Sequence, residues 1–353
     1  MNIDGAVSGR AVEPRIEMEK CVEAIGWESM AKGKASQTKS KPAERAGREP
    51  LRGASAFEKA LHEMRHQEPG AYEDVSAKWL LKALAISLAG IALLAWAAYC
   101  WVFWQGSWQL LYHPTEAIKR TPASVGLAYE PVRFGPDASG TARLTGWWIP
   151  AEGARWTALY LHGADGNLGD TVDALSMLHR ERVAIFAIDY RGYGQSAKAR
   201  PSEAGWMEDA GAALDYLTAT RHLAPAGIVV YGQGLGANLA AEFAAMHASV
   251  AGVVLDRPAT EGAGPIFADA RSRIVPARWL VSDRWELTVA ARAIRQPSLW
   301  LEDQLAPERS AAPSGAYAAV EGRKTLVWLN PPIFSDPHLS EELKRWLDDL
   351  ATR

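Results

Sequence analysis

Residues 83–104 read ALAISLAGIALLAWAAYCWVFW and carry no charged side chain. Wound as an α-helix, this run is roughly 33 Å long, enough to cross the hydrocarbon core of a bilayer. Aromatic residues bracket it: Trp79 before it, and Tyr99, Trp101, Trp104 and Trp108 at its other end, as interfacial anchors do. Lys78 and Lys82 stand at the first end, where their stems can reach the headgroups. A cleaved signal peptide has a shorter apolar part close to the N-terminus. The run therefore reads as a single transmembrane helix, assigned to residues 79–104, in preference to a buried core helix. Three parts follow: a tail over 1–78, the span, and a C-terminal domain over 110–353.

The tail is expected to be disordered. Residues 32–52 (KGKASQTKSKPAERAGREPLR) hold almost no large apolar side chain, so burial cannot offset their ordering entropy. The tail is either a solvated extension without a role or a basic segment drawn to anionic lipid. Arg65, Lys78 and Lys82 precede the span, whereas no Lys or Arg follows it until Lys119. The positive-inside rule then places the N-terminus in the cytoplasm and the C-terminal domain on the outer, periplasmic or lumenal side. The bilayer is the one partner implied at this point. With 38 Lys and Arg against 41 Asp and Glu, the chain has no cationic surplus for general nucleic-acid binding. Its two cysteines, Cys21 and Cys100, make neither a disulfide framework nor a Cys-rich zinc site. No His pair stands at ligand spacing and no phosphate-cradling Gly-rich loop with a Lys appears, so no metal or cofactor is expected.

Beyond about Leu110 the pattern alternates. TALYLH (157–162), VAIFAIDY (183–190), IVVYG (228–232), GVVLD (252–256), SLWLE (298–302) and TLVWLN (325–330) read as buried strands. Helices are expected over 202–219, after a capping signal at Ser202 and Glu203, over 236–247, and over 339–351 with Ser340 as N-cap. Strands alternating with helices imply a mainly parallel sheet covered on both faces, with its ligand site at the strands' carboxyl ends. At that level IVVYG runs into Gly232-Gln233-Gly234-Leu235-Gly236 and then a helix. This is the setting of the G-x-S-x-G nucleophile elbow.

Five segments together resemble the α/β hydrolases of the serine-hydrolase superfamily, and within them the membrane-anchored monoacylglycerol-lipase-like and Bem46-like group. They are LYHP (111–114), YLHGADGN (160–167), DYRGYGQS with PSEAGWMEDAGAALDYL (189–196, 201–217), YGQGLGANLAAEFAA (231–245) and VVLDRPAT (253–260). The resemblance covers about residues 110–350 and implies an α/β-hydrolase fold. It also implies an oxyanion site from the backbone at Gly163, Ala164 and Leu235. It assigns Ser196 to a structural turn, and the loop of Tyr190, Arg191 and Tyr193 is expected to pack structurally. Asp165 is expected to cap a turn, with ligand contact as the alternative.

The chemistry departs from that pattern. The nucleophile position is Gly234, which has no side chain to form an acyl-enzyme. The acid position falls on Asp303, in a shortened loop. No His lies in 330–336, where the family's base belongs; His338 comes later and would have to swing into the site. A triad works as a unit, so these losses together point away from serine chemistry. The expected function is a membrane-tethered protein that binds an acyl or peptide-like ligand, or a protein partner, on a hydrolase scaffold. The alternative is a hydrolase of an ester, lipid or amide that uses another nucleophile or water.

Overall fold

The computed structural model describes residues 76–136, 138–305 and 315–352, with Glu58 and Leu61 ahead of them. The chain separates into two units, Met1–Val75 and Ser76–Arg353. Only Glu58 and Leu61 are described in the first, so the expected 1–78 tail lies almost wholly outside the described residues.

The second unit opens with α1, Ala77–Gly106, two residues longer at each end than the span read from the sequence. Ser76 caps it by accepting the Trp79 N–H at 3.3 Å. It is the one helix among the described residues long and apolar enough to cross a membrane. Its most apolar window has a mean hydropathy of 2.0 and none of it is buried. Its buried residues, Cys100 and Phe103, lie near its end.

Eight strands form one sheet: β1 Glu130–Pro136, β2 Ala142–Ile149, β3 Thr157–Leu161, β4 Ala184–Asp189, β5 Ile228–Gln233, β6 Gly252–Asp256, β7 Ser298–Asp303 and β8 Lys324–Leu329. Their spatial order is β8-β7-β6-β5-β3-β4-β2-β1. Pairing is parallel from β8 through β4, and antiparallel where β2 meets β4 and β1. Every residue of β3, β4 and β6 is buried, which is why they read as unbroken apolar runs. The β1–β2 hairpin escaped the sequence reading. Exposed residues and Pro131 break its pattern, and Gly146 sits where a Cβ would press on the Ala187 carbonyl oxygen, 2.6 Å away.

Helices cover both faces. On one lie α2 (Val172–Arg180) and α9 (Pro337–Ala351), the latter burying Leu339, Leu343, Trp346, Leu347 and Leu350 along one stripe. On the other lie α3 (Glu203–Asp215), α4 (Leu235–Met246), α7 (Leu287–Ala293) and α8 (Ala316–Ala319). Between β6 and α7 the chain forms a cap of short turns with α5 (Gly264–Ala268) and α6 (Ala277–Leu280). Ser202 caps α3 as expected, accepting the Gly205 N–H at 3.1 Å. Ser340 does not cap α9. Asp336 does, ahead of Pro337 at the first helical position, a start that proline's fixed φ favours; the Ser340 hydroxyl instead donates to Glu181.

Candidate functional site

Strands β3 and β5 are parallel neighbours in register Leu161↔Gly232. The residues that leave their carboxyl ends, His162–Ala164 and Gln233–Leu235, therefore face each other at the centre of the sheet. Gly234 makes the turn into α4 at φ +57°, ψ −123°, a conformation in which a side chain is strained. Its N–H donates to the Asp256 carbonyl at 2.8 Å, and its own carbonyl accepts the Ala237 N–H at 3.0 Å. The neighbouring glycines are sterically required. A Cβ at Gly232 would strike the Gly236 carbonyl, and one at Gly236 the Leu161 and His162 carbonyls. At Gly234 there is room: the nearest atom to an added Cβ is the Gly163 Cα at 3.9 Å.

Above this turn lies a cavity of about 380 Å³. Gly163, Ala164, Gly234 and Leu235 all line it, with His162, Asp165, Asp170, Thr171, Gln233 and Arg257. As the first residue of α4, Leu235 has an N–H without an intrahelical acceptor. The 162–164 loop is held from behind. The Tyr190 hydroxyl donates to the His162 carbonyl at 3.1 Å, and the Tyr193 hydroxyl to the Ala164 carbonyl at 2.9 Å. Burial keeps both phenols protonated, raising each above its ordinary pKa. Since a trans peptide points its N–H opposite its C=O, the Tyr190 bond fixes the direction of the Gly163 N–H and the Tyr193 bond that of the Asp165 N–H.

His162 is an element of this support. Its ring is 1% exposed, packed against Tyr190 and Tyr193 with centroids at 4.6 and 5.1 Å. Nδ1–H donates to the Gly163 carbonyl at 2.7 Å, and Nε2 stands 3.5 Å from Asp189 Oδ1. Ser196 serves the turn, donating to the Asp189 carbonyl at 2.6 Å and accepting the Thr145 N–H at 2.9 Å. Arg191 ties its loop to α3 through Asp209, at 2.7 Å. Burial pushes the Asp209 carboxyl up to about 6 against the pull of Arg191.

Asp303 and His338 lie elsewhere. Asp303 ends β7, and its Oδ1 accepts the Leu305 N–H at 2.8 Å, capping its own turn. His338 occupies the first turn of α9, half exposed. Its N–H donates to Asp336 Oδ1 at 3.0 Å, and its Nδ1 is 3.9 Å from Glu342 Oε1. Neither lines the cavity above Gly234. Between the cavity and α9 stands Arg257, at φ +49°. Its Nε donates to Asp256 Oδ1 at 2.8 Å and its guanidinium lies 5.7 Å over the Phe334 ring. Burial works against the Arg257 charge, but Asp256 outweighs it and holds the guanidinium protonated. Beneath, the Tyr231 hydroxyl reaches Asp256 Oδ2 at 3.3 Å and the Tyr160 hydroxyl donates to Gln233 at 2.9 Å.

Sequence reasoning missed two groups here. Arg257 follows the β6 strand in VVLDRPAT, where its charge was a visible signal. His113 gave none. A two-residue parallel bridge, His113–Pro114 with Asp165–Gly166, brings together positions 52 residues apart. The His113 Nδ1 then lies 2.7 Å from Oδ1 of Asp165, which lines the cavity. Asp165 thus pairs with this imidazole. Among the described residues no group of three or more His, Cys, Asp and Glu is placed to hold a metal.

Comparisons with known proteins agree with this architecture. Residues 152–326 match the family model described as serine aminopeptidase, S33. The chain is 35% identical over 106 residues to the uncharacterized protein YfhR of Salmonella typhimurium, a match covering 29% of this chain and 36% of that one. It is 27% identical over 245 residues to the Arabidopsis thaliana alpha/beta hydrolase domain-containing protein WAV2, covering 63% of this chain and 76% of that one. Among solved structures, the Pyrococcus furiosus esterase Pf2001 superposes with a TM-score of 0.51 at 17% identity, covering 67% of this chain and 98% of the esterase; it bears on the fold alone. With its strand order, its elbow at the end of β5 and its match over 152–326, the chain belongs to the α/β-hydrolase superfamily.

Proposed function

We propose that this chain is a membrane-anchored α/β-hydrolase-fold protein that has lost serine-hydrolase chemistry and uses the cavity above Gly234 to hold a ligand rather than cleave it. The observation that carries this reading is the turn at Gly234. Its shape, its two crowded flanking glycines and the space above it are those of an elbow, yet it presents no side chain. With no hydroxyl there, Asp303 capping its own turn and the half-exposed His338 away from the cavity, the triad that acyl transfer needs is not assembled.

The cavity favours an uncharged ligand with an acyl or peptide-like carbonyl. Among the described residues that line it the one Lys or Arg, Arg257, is matched by Asp256 beneath it, and Asp165 and Asp170 also line the wall. A free carboxylate or phosphate would meet more negative than unmatched positive charge. A carbonyl oxygen directed at the Leu235 and Gly163 amides needs no net charge.

A second reading is favoured by the His113–Asp165 pair. An imidazole whose Nδ1 faces a carboxylate is oriented as a general base is, and here that carboxylate, Asp165, lines the cavity. It would activate water for attack on an ester, thioester or amide. The two readings separate on hydrolysis by the purified full-length chain. The binding reading expects none that depends on a cavity residue. The water reading expects turnover that His113→Ala abolishes.

The anchor is α1, for which the uncharged run and flanking Lys78 and Lys82 argue. By the positive-inside rule residues 1–78 face the cytoplasm and the catalytic-fold domain the outer side. Cys21 checks this: a membrane-impermeant thiol reagent applied from the outer side should leave it unlabelled, and labelling from that side would reverse the orientation.

A further inference from the structure

Within α1 the Trp96 indole N–H donates to the backbone carbonyl of Ile274, at 3.0 Å. Trp96 lies eight residues before Trp104, about 12 Å along a helix axis. The cap therefore does not sit on the end of the apolar helix. It reaches back alongside the uncharged run itself through the Trp96–Ile274 bond, and α6 is also in contact with α1. A loop carbonyl at that level has found a donor in the helix, as an irregular backbone must wherever lipid excludes water.

What the cap presents at this level is apolar and aromatic. Trp279 is 89% exposed and Ile274 60%, both larger and more apolar than a water-facing turn needs. The same stretch, residues 269–284, carries Arg271, Arg273, Arg278 and Arg284 against only Asp269, which pairs with Arg271, and Asp283. Arg278 and Arg284 lie over the Phe267 ring, at 5.7 and 6.0 Å, so their charges rim the apolar tip. At the end of α1, Arg200 donates to the Trp104 carbonyl at 3.0 Å and stacks 5.8 Å from its ring, continuing the same basic rim. Exposed Trp and Ile encircled by arginines are the composition of an interfacial membrane element.

We infer that the cap over residues 270–281 is a second membrane contact, inserting Ile274 and Trp279 into the leaflet that α1 leaves and resting Arg273 and Arg278 on anionic headgroups. This rests on the reading of α1 as a membrane span. The bilayer then covers the cap, and the elbow cavity is held at the membrane surface rather than on a free tether.

The test places a nitroxide label on the full-length chain, with Cys21→Ser and Cys100→Ala as background. Labels at Trp279→Cys, Leu88→Cys in α1 and Glu152→Cys on the domain surface are compared in vesicles of phosphatidylcholine and phosphatidylglycerol. Relaxation by oxygen, which partitions into lipid, is measured against relaxation by an aqueous nickel chelate. The oxygen-to-nickel ratio at 279 should match that at 88 and exceed that at 152 by about ten-fold. Adding Arg273→Glu and Arg278→Glu should drop the ratio at 279 towards that at 152 while leaving 88 unchanged. A ratio at 279 equal to that at 152, with 88 still in lipid, overturns the cap insertion and leaves the anchor standing. A low ratio at 88 overturns the anchor itself, and the cap with it. A ratio at 279 unmoved by the two charge reversals overturns the role of the arginines.

Discussion

Gly234 occupies a conformation that enzymes of this fold impose on a serine, and it does so beside space that a serine side chain would fill. The φ of +57° is open to glycine at little cost. A side chain there costs on the order of 1–3 kcal/mol, and the nearest contact to a new Cβ is an ordinary 3.9 Å. Gly234→Ser is therefore expected to fold, with stability lower by about 1–2 kcal/mol in a denaturant titration. Full unfolding would mean that the space above the turn is not what the geometry gives. This residue was legible in the sequence because G-x-G-x-G after a buried strand leaves little freedom of placement. The fates of Asp303 and His338 were legible only as irregular spacings. Which way a carboxylate turns depends on local donors, here the Leu305 N–H and, for Asp336, the Asn330 and His338 N–H groups that hold its carboxyl below the usual range. The His113–Asp165 pair was not legible at all, since a bridge of two residues leaves no periodic trace.

Elements that are buried on both faces announce themselves, and those that are half exposed do not. All six strands read from apolar runs are present within a residue or two at either end, whereas the β1–β2 hairpin, with its exposed residues and glycines, was missed. Contacts between elements were likewise invisible. The start of α3 was read as a capping signal at Ser202 and Glu203, but Glu203 reaches across to the cap instead. Its carboxylate accepts the Arg284 N–H at 2.5 Å and the Trp285 N–H at 3.1 Å. Beside it Glu242 of α4 is pushed up to about 8, by burial first and then by the Glu203 charge and hydrogen bond. The sign of the consequence is fixed by linkage. In the folded chain Glu242 keeps its proton to about 8, whereas in the unfolded chain it loses it near the ordinary value of 4.5. Its protonation thus favours the folded state fully below about 4.5, and that contribution is lost as pH rises towards 8. Unfolding midpoints measured from pH 5 to 8 should fall with pH, and Glu242→Gln should flatten this slope; a slope unchanged in the variant would contradict the upward shift at Glu242.

At the scale of the whole molecule, an apolar helix, a cap and an elbow cavity are joined in one unit. The cap runs between β6 and α7, and Asn238 of α4 ties its ends, donating to the Ala259 and Trp285 carbonyls at 2.8 and 3.2 Å. A helix that sat in a bilayer would therefore fix the height of the cavity as well as tether it. That arrangement suits recognition of an uncharged carbonyl compound held near the membrane. On the function proposed above, the cavity keeps the shape of a catalytic site without its reaction. The most direct measurement is ester and amide turnover by the full-length chain, purified through two independent affinity steps and compared with Gly234→Ser and His113→Ala. No turnover above the buffer rate is expected in any of the three, including Gly234→Ser, since neither Asp303 nor His338 lines the cavity to serve the new hydroxyl. Turnover by the natural chain that a single substitution in the cavity removes would contradict it.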